Sequence, residues 1–377
     1  MSIIQQLIFV TIFISVLALT NLYVYRRFFR KLSPIFRRTG LILMAAIMLG
    51  ELIFAFDTIT RALPESLLLY LITSAFIGST FMLFVVALIY DLIISTSKRV
   101  PFNQERRRTI KVLFDITMLI AAAAYLLRGF TQGSKPPVVN DVVVRIKDFP
   151  FNGYTIVQLT DLHVGRTIKR TFIEDLVRRT NAMKPNIVVI TGDLFDMNAE
   201  AIKNDLVPLQ ELNVPTYFIT GNHEYFHGVE ANLSYIRSLG IRALTNQNVV
   251  LGNENGRFNL VGINDLVGAR MGIMPPDVEA AYQGLNPDIA TIVLSHQPKS
   301  ITLVKEKRCD LMLSGHTHGG QIFPFGLLVK IDQPYLAGLY QHTDEQQIFV
   351  SRGTGYWGPP LRVLAPSEIS RIVITTA

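Results

Sequence analysis

The chain has 377 residues but only one cysteine, Cys309, and one tryptophan, Trp357. A single thiol excludes any intramolecular disulfide and leaves the compartment open, because many exported proteins have none. Cys309 stands just ahead of the apolar run Leu311-Met312-Leu313 and reads as a small buried hydrophobe. The later two thirds also lack a basic excess. Residues 136–377 carry 21 Lys/Arg against 23 Asp/Glu, whereas residues 1–135 carry 15 against 6. Tracking a nucleic-acid backbone needs clustered positive charge, so no nucleic acid is expected as a partner of the second part. The positive charge lies in the first third, where it follows membrane topology. No internal repeat at solenoid spacing is present.

What the first third has in quantity is long apolar runs, at 3–25, 41–59, 67–94 and 112–127. A hydrocarbon core of roughly 30 Å takes about 20 apolar residues of helix. The first and third runs are long enough, and the second reaches that length through Asp57-Thr58-Ile59. The fourth is short, contains Asp115 and is bounded by Lys111 and Arg128. Snorkelling by those two residues lets it span; lying flat in the interface is the alternative. Arg26, Arg27, Arg30, Lys31, Arg37 and Arg38 fill the first loop, and Lys98, Arg99, Arg106, Arg107 and Arg108 the third, while the second has only Arg61. The positive-inside bias places both basic loops in the cytoplasm. A fourth span then carries the rest of the chain to the outer face of a bacterial inner membrane, as a multi-pass protein. The expected organisation is a transmembrane region over 1–128, a Gly/Pro-containing linker over 129–137 and a soluble domain over 138–377.

From 138 onward short strands alternate with amphipathic helices. Apolar runs at 154–159, 187–190, 216–219, 260–263, 289–294 and 311–313 read as strands, and 170–183, 199–212 and 229–239 carry apolar positions at helical spacing. Two further strand-like runs, 347–351 and 369–375, flank a Gly/Pro-rich stretch at 353–360. A stretch of this length and pattern makes one layered α/β domain, with ligands at the carboxyl edge of its strands.

Five of the seven histidines fall in short blocks that follow such runs. The blocks read Thr160-Asp161-Leu162-His163, Gly192-Asp193-Leu194-Phe195-Asp196, Gly221-Asn222-His223-Glu224, Ser295-His296 and Gly315-His316-Thr317-His318-Gly319-Gly320. Taken singly, Asp161 and His163 can be a cap and a turn, and Gly221-Asn222-His223 an ordinary left-handed turn. His316 and His318, set between glycines, serve neither a helix face nor a core stripe. In this order, each at a strand end, the blocks point to a metal centre of nitrogen and oxygen ligands.

The ordered set Asp-x-His, Gly-Asp-x-x-Asp, Gly-Asn-His-Glu, His and Gly-His-x-His resembles the signature of the calcineurin-like metallophosphoesterases, over 154–321. The form Gly315-His316-Thr317-His318-Gly319-Gly320-Gln321 and the tail Gly355-Tyr356-Trp357-Gly358-Pro359-Pro360 are similar to that family's membrane-anchored bacterial branch, which includes UDP-2,3-diacylglucosamine pyrophosphatases. The resemblance implies an α/β fold in which transmembrane helices precede a four-layer αββα sandwich around two divalent metal ions, Mn first, with Fe or Zn as alternatives. It implies that Asp161, His163 and His318 bind one metal, that Asn222, His296 and His316 bind the other, and that Asp193 bridges them. One carboxylate has two oxygens and can hold two cations roughly 3.5–4 Å apart. By the same resemblance a hydroxide between the metals attacks phosphorus in line while His223 protonates the leaving oxygen. Asp196 and Glu224 read as groups that orient imidazoles. Arg166 reads as a solvated side chain or a phosphate contact, and His227 as a wall of the pocket.

The expected activity is hydrolysis of a phosphodiester or pyrophosphate bond in a lipid-linked or envelope substrate. The runs 323–328 and 334–340, with Trp357, are expected either to form an acyl-chain groove or interfacial face, or to pack as core strands. Two rivals stand beside this reading: a nucleotide-lipid pyrophosphatase at the cytoplasmic face, and a scaffold or sensor without turnover. An outward-facing domain opposes the first, and the completeness of the ligand set opposes the second.

Overall fold

The computed structural model describes residues 3–30, 32–60, 66–97 and 104–376. Lys31, Arg61, Lys98 and Arg99, which enter the charge reading of the loops, lie outside the described residues, as do the side chains of Arg106, Arg107, Arg108, Lys111 and Asp115. The chain divides into two compact units.

The first unit contains helices α1 (Ile3–Phe28), α2 (Pro34–Thr60), α3 (Leu67–Ser97) and α4 (Gln104–Gly133). Its interior is built from Val24 and Phe28 of α1, Met44 and Ile47 of α2, Val86, Ala87 and Tyr90 of α3, and Met118 and Ala122 of α4. Leu19, Ile42, Leu68 and Leu92 point outward and stay exposed. Helices apolar on all sides belong in hydrocarbon. Among the described residues, α2 over Pro34–Asp57 and α3 over Leu67–Ser95 are long and apolar enough to cross a membrane.

The expected linker is corrected by α4, which continues to Gly133 and leaves only 134–137 between helix and first strand. The glycines that read as a linker serve close packing instead. A segment expected in the soluble domain, Gly358–Val363, belongs to the helical unit. There the Arg362 N–H donates to the Gly129 carbonyl at 3.0 Å. A Cβ at Gly133 would overlap the Pro360 carbonyl. A helix-interior glycine costs about 1 kcal/mol against alanine, and here it admits another stretch of backbone.

The second unit is two six-stranded sheets with helices outside them. In chain order the strands are β1 (Val138–Ile146), β2 (Tyr154–Leu159), β3 (Ile187–Thr191), β4 (Thr216–Ile219), β5 (Arg242–Ala243), β6 (Gln247–Asn253), β7 (Gly256–Gly262), β8 (Thr291–Leu294), β9 (Leu311–Ser314), β10 (Gly338–Gln341), β11 (Gln347–Val350) and β12 (Glu368–Thr376). The helices between them are α5 (Arg170–Ala182), α6 (Ala199–Leu206), α7 (Asn222–Phe226), α8 (Val229–Ser238), α9 (Val267–Met271), α10 (Val278–Tyr282) and α11 (Gly326–Asp332). One sheet runs β1-β12-β2-β3-β4-β5 and the other β10-β11-β9-β8-β7-β6.

The central strands β2, β3 and β4 are parallel neighbours, as are β7, β8 and β9. Their near-continuous apolar sequences, such as Ile187-Val188-Val189-Ile190, suit strands buried on both faces. Ile156, Val189 and Ile219 of one sheet meet Leu260, Ile292 and Leu313 of the other in the central core. Outside the first sheet, Ile173 and Leu176 of α5, Ile202 of α6 and Leu233 of α8 cover Val157, Val188 and Ile190. Outside the second, Ala281 of α10 with Ile301 and Val304 covers Val261, Val293 and Met312, and Cys309 is buried among them. The layers are therefore α, β, β and α. The helix expected over 199–212 ends at Leu206 and tightens into a 3₁₀ turn over Val207–Glu211, because Pro208 has no N–H to continue it.

Candidate metal centre

Every block lies just beyond the carboxyl end of a central parallel strand. Asp161 and His163 follow β2, Asp193 follows β3, Asn222 follows β4, His296 follows β8, and His316 and His318 follow β9. The two sheets bring these ends together. The Gln158 amide on β2 donates to Thr191 Oγ1 at 2.8 Å and to the Ser314 carbonyl at 3.0 Å, tying β2, β3 and β9 at the site's floor. At Gly192 (φ +89°) a side chain would collide with Gly221 and His296. A Cβ at Gly315 would overlap Thr160 Oγ1 and Asp161 Oδ2. Only glycine lets these loops converge.

The backbone is strained at the same places. Asp161 (φ 53°), His163 (50°), Asp193 (51°), His316 (68°) and His318 (51°) all occupy the left-handed region. Such a conformation costs a non-glycine residue roughly 1 kcal/mol or more and persists where the surroundings enforce it. Strain at five expected ligands marks a site kept for chemistry.

Three donor groups form among the described residues. The ligand atoms of Asp161, His163 and His318 lie within 4.8 Å of one another, as do those of Asp193, His296 and His316, and those of His163, Asp196 and His223. His163 Nε2 is 3.1 Å from His318 Nε2, which is 3.4 Å from Asp161 Oδ1. Asp193 belongs to the group of His296 and His316 and faces the Asp161 group, its Oδ2 3.1 Å from His296 Nε2 and 3.8 Å from His163 Nε2. Its Oδ1 accepts the backbone N–H of His223 at 2.9 Å.

The polar atoms fit a cation. Asn222 Oδ1 and His296 Nε2 are buried without a hydrogen-bond partner. His296 Nδ1 contacts the Thr191 carbonyl at 2.8 Å and so carries a hydrogen, which leaves Nε2 facing the Asp193 carboxylate at 3.1 Å. Positive charge belongs between them. Burial opposes a charged His296, but Asp193, Asp161 and Asp265 raise its pKa well above the usual value, and a cation on the neutral ring would take that proton's place. Burial opposes ionisation of Asp193, yet His296, His223 and His163 hold its carboxyl well below the usual range. Burial likewise opposes a charged His223, but Asp193, Asp196 and Glu224 push its pKa up to about 9. Burial and the neighbouring His296 push His316 down to about 3. Carboxylates that hold positive charge on adjacent imidazoles form a site where divalent cations would take the place of those protons.

The remaining expected residues divide by what they touch. Asp196 Oδ1 lies 2.9 Å from His223 Nδ1 and 3.6 Å from His163 Nδ1, so it faces two imidazoles. Glu224, expected to orient an imidazole, does something else. Its buried carboxylate accepts the backbone N–H groups of Asp193 (3.0 Å), Leu194 (2.8 Å), Phe195 (3.1 Å) and Gly221 (2.5 Å). It shapes the turn that presents Asp193 and clasps it to the Asn222 loop. His227 caps α7, its ring 5.9 Å from that of His223 and its Nε2 3.9 Å from Asp196 Oδ1. Arg166 is half-buried in the loop between the Val164 and Ile168 bridge residues. Trp357 is placed by a two-point clasp: Gln321 donates to its carbonyl at 2.9 Å and accepts its N–H at 3.1 Å. Its ring lies 6.2 Å from His223, and that of Phe226 lies 5.5 Å away.

One carboxylate escaped the sequence reading. Asp265 follows β7 at the same edge, is fully buried, and accepts at 2.9 and 3.0 Å from Nε2 of Gln297, next in sequence to His296. Asn264-Asp265 directly after an apolar strand was the available signal.

Imidazoles and carboxylates gathered at the carboxyl edges of two facing sheets, with one aspartate between two donor groups, define a metal-dependent hydrolase site. Residues 154–320 match the calcineurin-like phosphoesterase family. Over 363 residues the chain is 37% identical to an uncharacterised metallophosphoesterase of Helicobacter pylori, covering 95% of this chain and 96% of the relative. A transmembrane protein with metallophosphoesterase domain from Bos taurus is 32% identical over 76% of this chain and 68% of its own length. The phosphodiesterase YaeI of Escherichia coli is 35% identical over 54% of this chain and 75% of its own. The chain belongs to the calcineurin-like metallophosphoesterase family and is a metal-dependent phosphoesterase.

Proposed function

We propose that this protein is a membrane-anchored, dinuclear-metal phosphoesterase that hydrolyses a phosphodiester or pyrophosphate bond in a lipid-linked or envelope substrate. The observation that carries the reading is Asp193, buried in one donor group with His296 and His316 and facing His163 of the other. Asp161, His163 and His318 would hold one cation and Asn222, His296 and His316 the second, with Asp193 shared. When bound, the cations supply Lewis-acid stabilisation of phosphoryl charge and lower the pKa of water.

The protein's own groups do the rest. Asp196 orients His223 through Nδ1, which leaves Nε2 to give its proton to the leaving oxygen. In the protein alone burial is outweighed by Asp193, Asp196 and Glu224, which push its pKa up to about 9 and so favour the protonated imidazole that an acid requires. Trp357 and Phe226 flank His223, shield it from bulk water and offer an apolar wall to the leaving group.

An apolar substrate is supported by the segment after the His316/His318 loop. Residues 323–328 are not core strands: Phe323, Phe325, Leu327 and Leu328 are exposed, as is Ile331 further along α11. Residues 334–340 differ, since Tyr335 and Tyr340 pack on the core of the second sheet. Contiguous exposed apolar side chains near an active site fit acyl chains or a bilayer surface. The apolar helices α2 and α3 support anchoring in the bilayer, and the positive-inside pattern supports a multi-pass protein of the bacterial inner membrane with its catalytic domain on the outer face.

The test is turnover of a chromogenic phosphodiester by the purified full-length protein with Mn²⁺, beside Asp193→Ala and His223→Ala. Mn-dependent turnover lost in both variants supports the reading; undiminished turnover in Asp193→Ala refutes it.

A further inference from the structure

The helical unit contains a buried polar ring that the phosphoesterase site does not use. Glu51 of α2, Asn21 of α1 and Thr80 of α3 have relative exposures of 1%, 6% and 1%. Asn21 Nδ2 lies 2.7 Å from Glu51 Oε2, Thr80 Oγ1 lies 2.5 Å from Glu51 Oε1, and Thr80 Oγ1 lies 3.2 Å from Asn21 Oδ1. Three side chains from three helices thus close a ring of three contacts.

Each contact joins two electronegative atoms and needs one hydrogen between them. An ionised Glu51 has none to give. Thr80 has a single O–H, and the Asn21 amide presents one N–H edge and one oxygen edge to the ring. That makes two hydrogens for three contacts. Turning the amide over changes which contact is short of a hydrogen but not the count, so the shortfall is independent of how nitrogen and oxygen are assigned. With a proton on Glu51 the ring closes: the acid donates to Thr80 Oγ1, Thr80 donates to Asn21 Oδ1, and Asn21 donates to Glu51 Oε2. The second Asn21 hydrogen is directed at Met48 Sδ, 3.9 Å away.

The surroundings point the same way. Glu51 and Thr80 fall within the two stretches apolar and long enough to span a membrane. Among the described residues no Lys, Arg or His pairs with Glu51, whereas Asp91 of α3 is paired with Arg27. An unpaired carboxylate in hydrocarbon is costly; a neutral acid with every hydrogen placed is far less so. We propose that Glu51 is a proton-binding site inside the helical unit, occupied at neutral pH, and that the proton completes a ring locking α1, α2 and α3 together.

The test is infrared difference spectroscopy of the full-length protein in lipid vesicles at neutral pH, wild type against Glu51→Gln, joined to thermal unfolding. A carboxylic-acid carbonyl band, sensitive to deuterium exchange, is present in the wild type and gone in Glu51→Gln. Loss of carboxylate bands instead would overturn the proposal. Glutamine brings its own hydrogen to Thr80, so Glu51→Gln unfolds close to the wild-type temperature while Thr80→Val, which opens the ring, unfolds several degrees lower. A Glu51→Gln protein that fails to fold, or unfolds as early as Thr80→Val, equally overturns it.

Discussion

His223 Nδ1 stands 2.9 Å from Asp196 Oδ1, and this contact decides which ring nitrogen is left to work. Asp196 also raises the imidazole's affinity for its proton. An acid is active below its pKa, so activity falls as pH rises through it. Bound cations act against Asp196, which places the wild-type alkaline limb at or below about 9. Replacing Asp196 by Asn removes the charge and moves that limb to lower pH, with a loss of roughly 10–100-fold in kcat/KM. The pH profile of kcat/KM checks this: the limb shifts in Asp196→Asn and disappears in His223→Ala. A profile unchanged in Asp196→Asn would remove the pair from the mechanism.

Glu224 holds backbone, and its variant is expected to behave differently from those at the candidate ligands. Glu224→Gln replaces an acceptor oxygen by an N–H₂ that faces the N–H groups of Asp193 and Gly221 or those of Leu194 and Phe195. A buried hydrogen-bond array broken in this way costs about 3 kcal/mol. The expected outcome is a lower unfolding temperature in chelator as well as with metal, because the defect lies in the polypeptide. Equal unfolding temperatures in chelator for wild type and variant would contradict it.

The apolar segment before and within α11 predicts a split between substrates. Changing Phe325, Leu327 and Leu328 together to Ser removes surface that is exposed in the protein alone. Engagement of even one such side chain with acyl chains is worth about 1.5–3 kcal/mol, enough for a tenfold change or more. Turnover of a vesicle-borne phosphodiester is expected to fall at least about tenfold, while a soluble chromogenic diester is turned over within about twofold of wild type. Parallel losses on both substrates would dismiss a lipid-facing role for the segment.

The clustering of the candidate ligands was legible in the sequence because they sit where the chain has few choices. Strands β2 and β4 fall on the apolar runs 154–159 and 216–219, and each ends in a block whose Asp, Asn or His takes up the turn. Close approach of the loops explains the glycines in two of these blocks, since a Cβ at Gly192 would meet Gly221 and His296 and one at Gly315 would meet Thr160 and Asp161. What was not legible depended on partners distant in sequence. Glu224 looked like a local neighbour of His223, but three of its four donors come from the Asp193 turn, about thirty residues earlier. Asp265 has no motif around it; its place comes from β7 lying beside β8 in the second sheet. Gly129 and Gly133 read as a linker because composition cannot tell a flexible joint from a helix face trimmed for close packing.

The most direct measurement is the metal content of the purified full-length protein, counted per chain by elemental analysis, for wild type and Asp193→Ala, with Mn-dependent turnover measured on the same samples. A bridging carboxylate between two donor groups predicts two metal ions per wild-type chain. It predicts fewer than two in Asp193→Ala, with turnover lost alongside. Two ions retained in Asp193→Ala with turnover intact would show that Asp193 does not join the two sites.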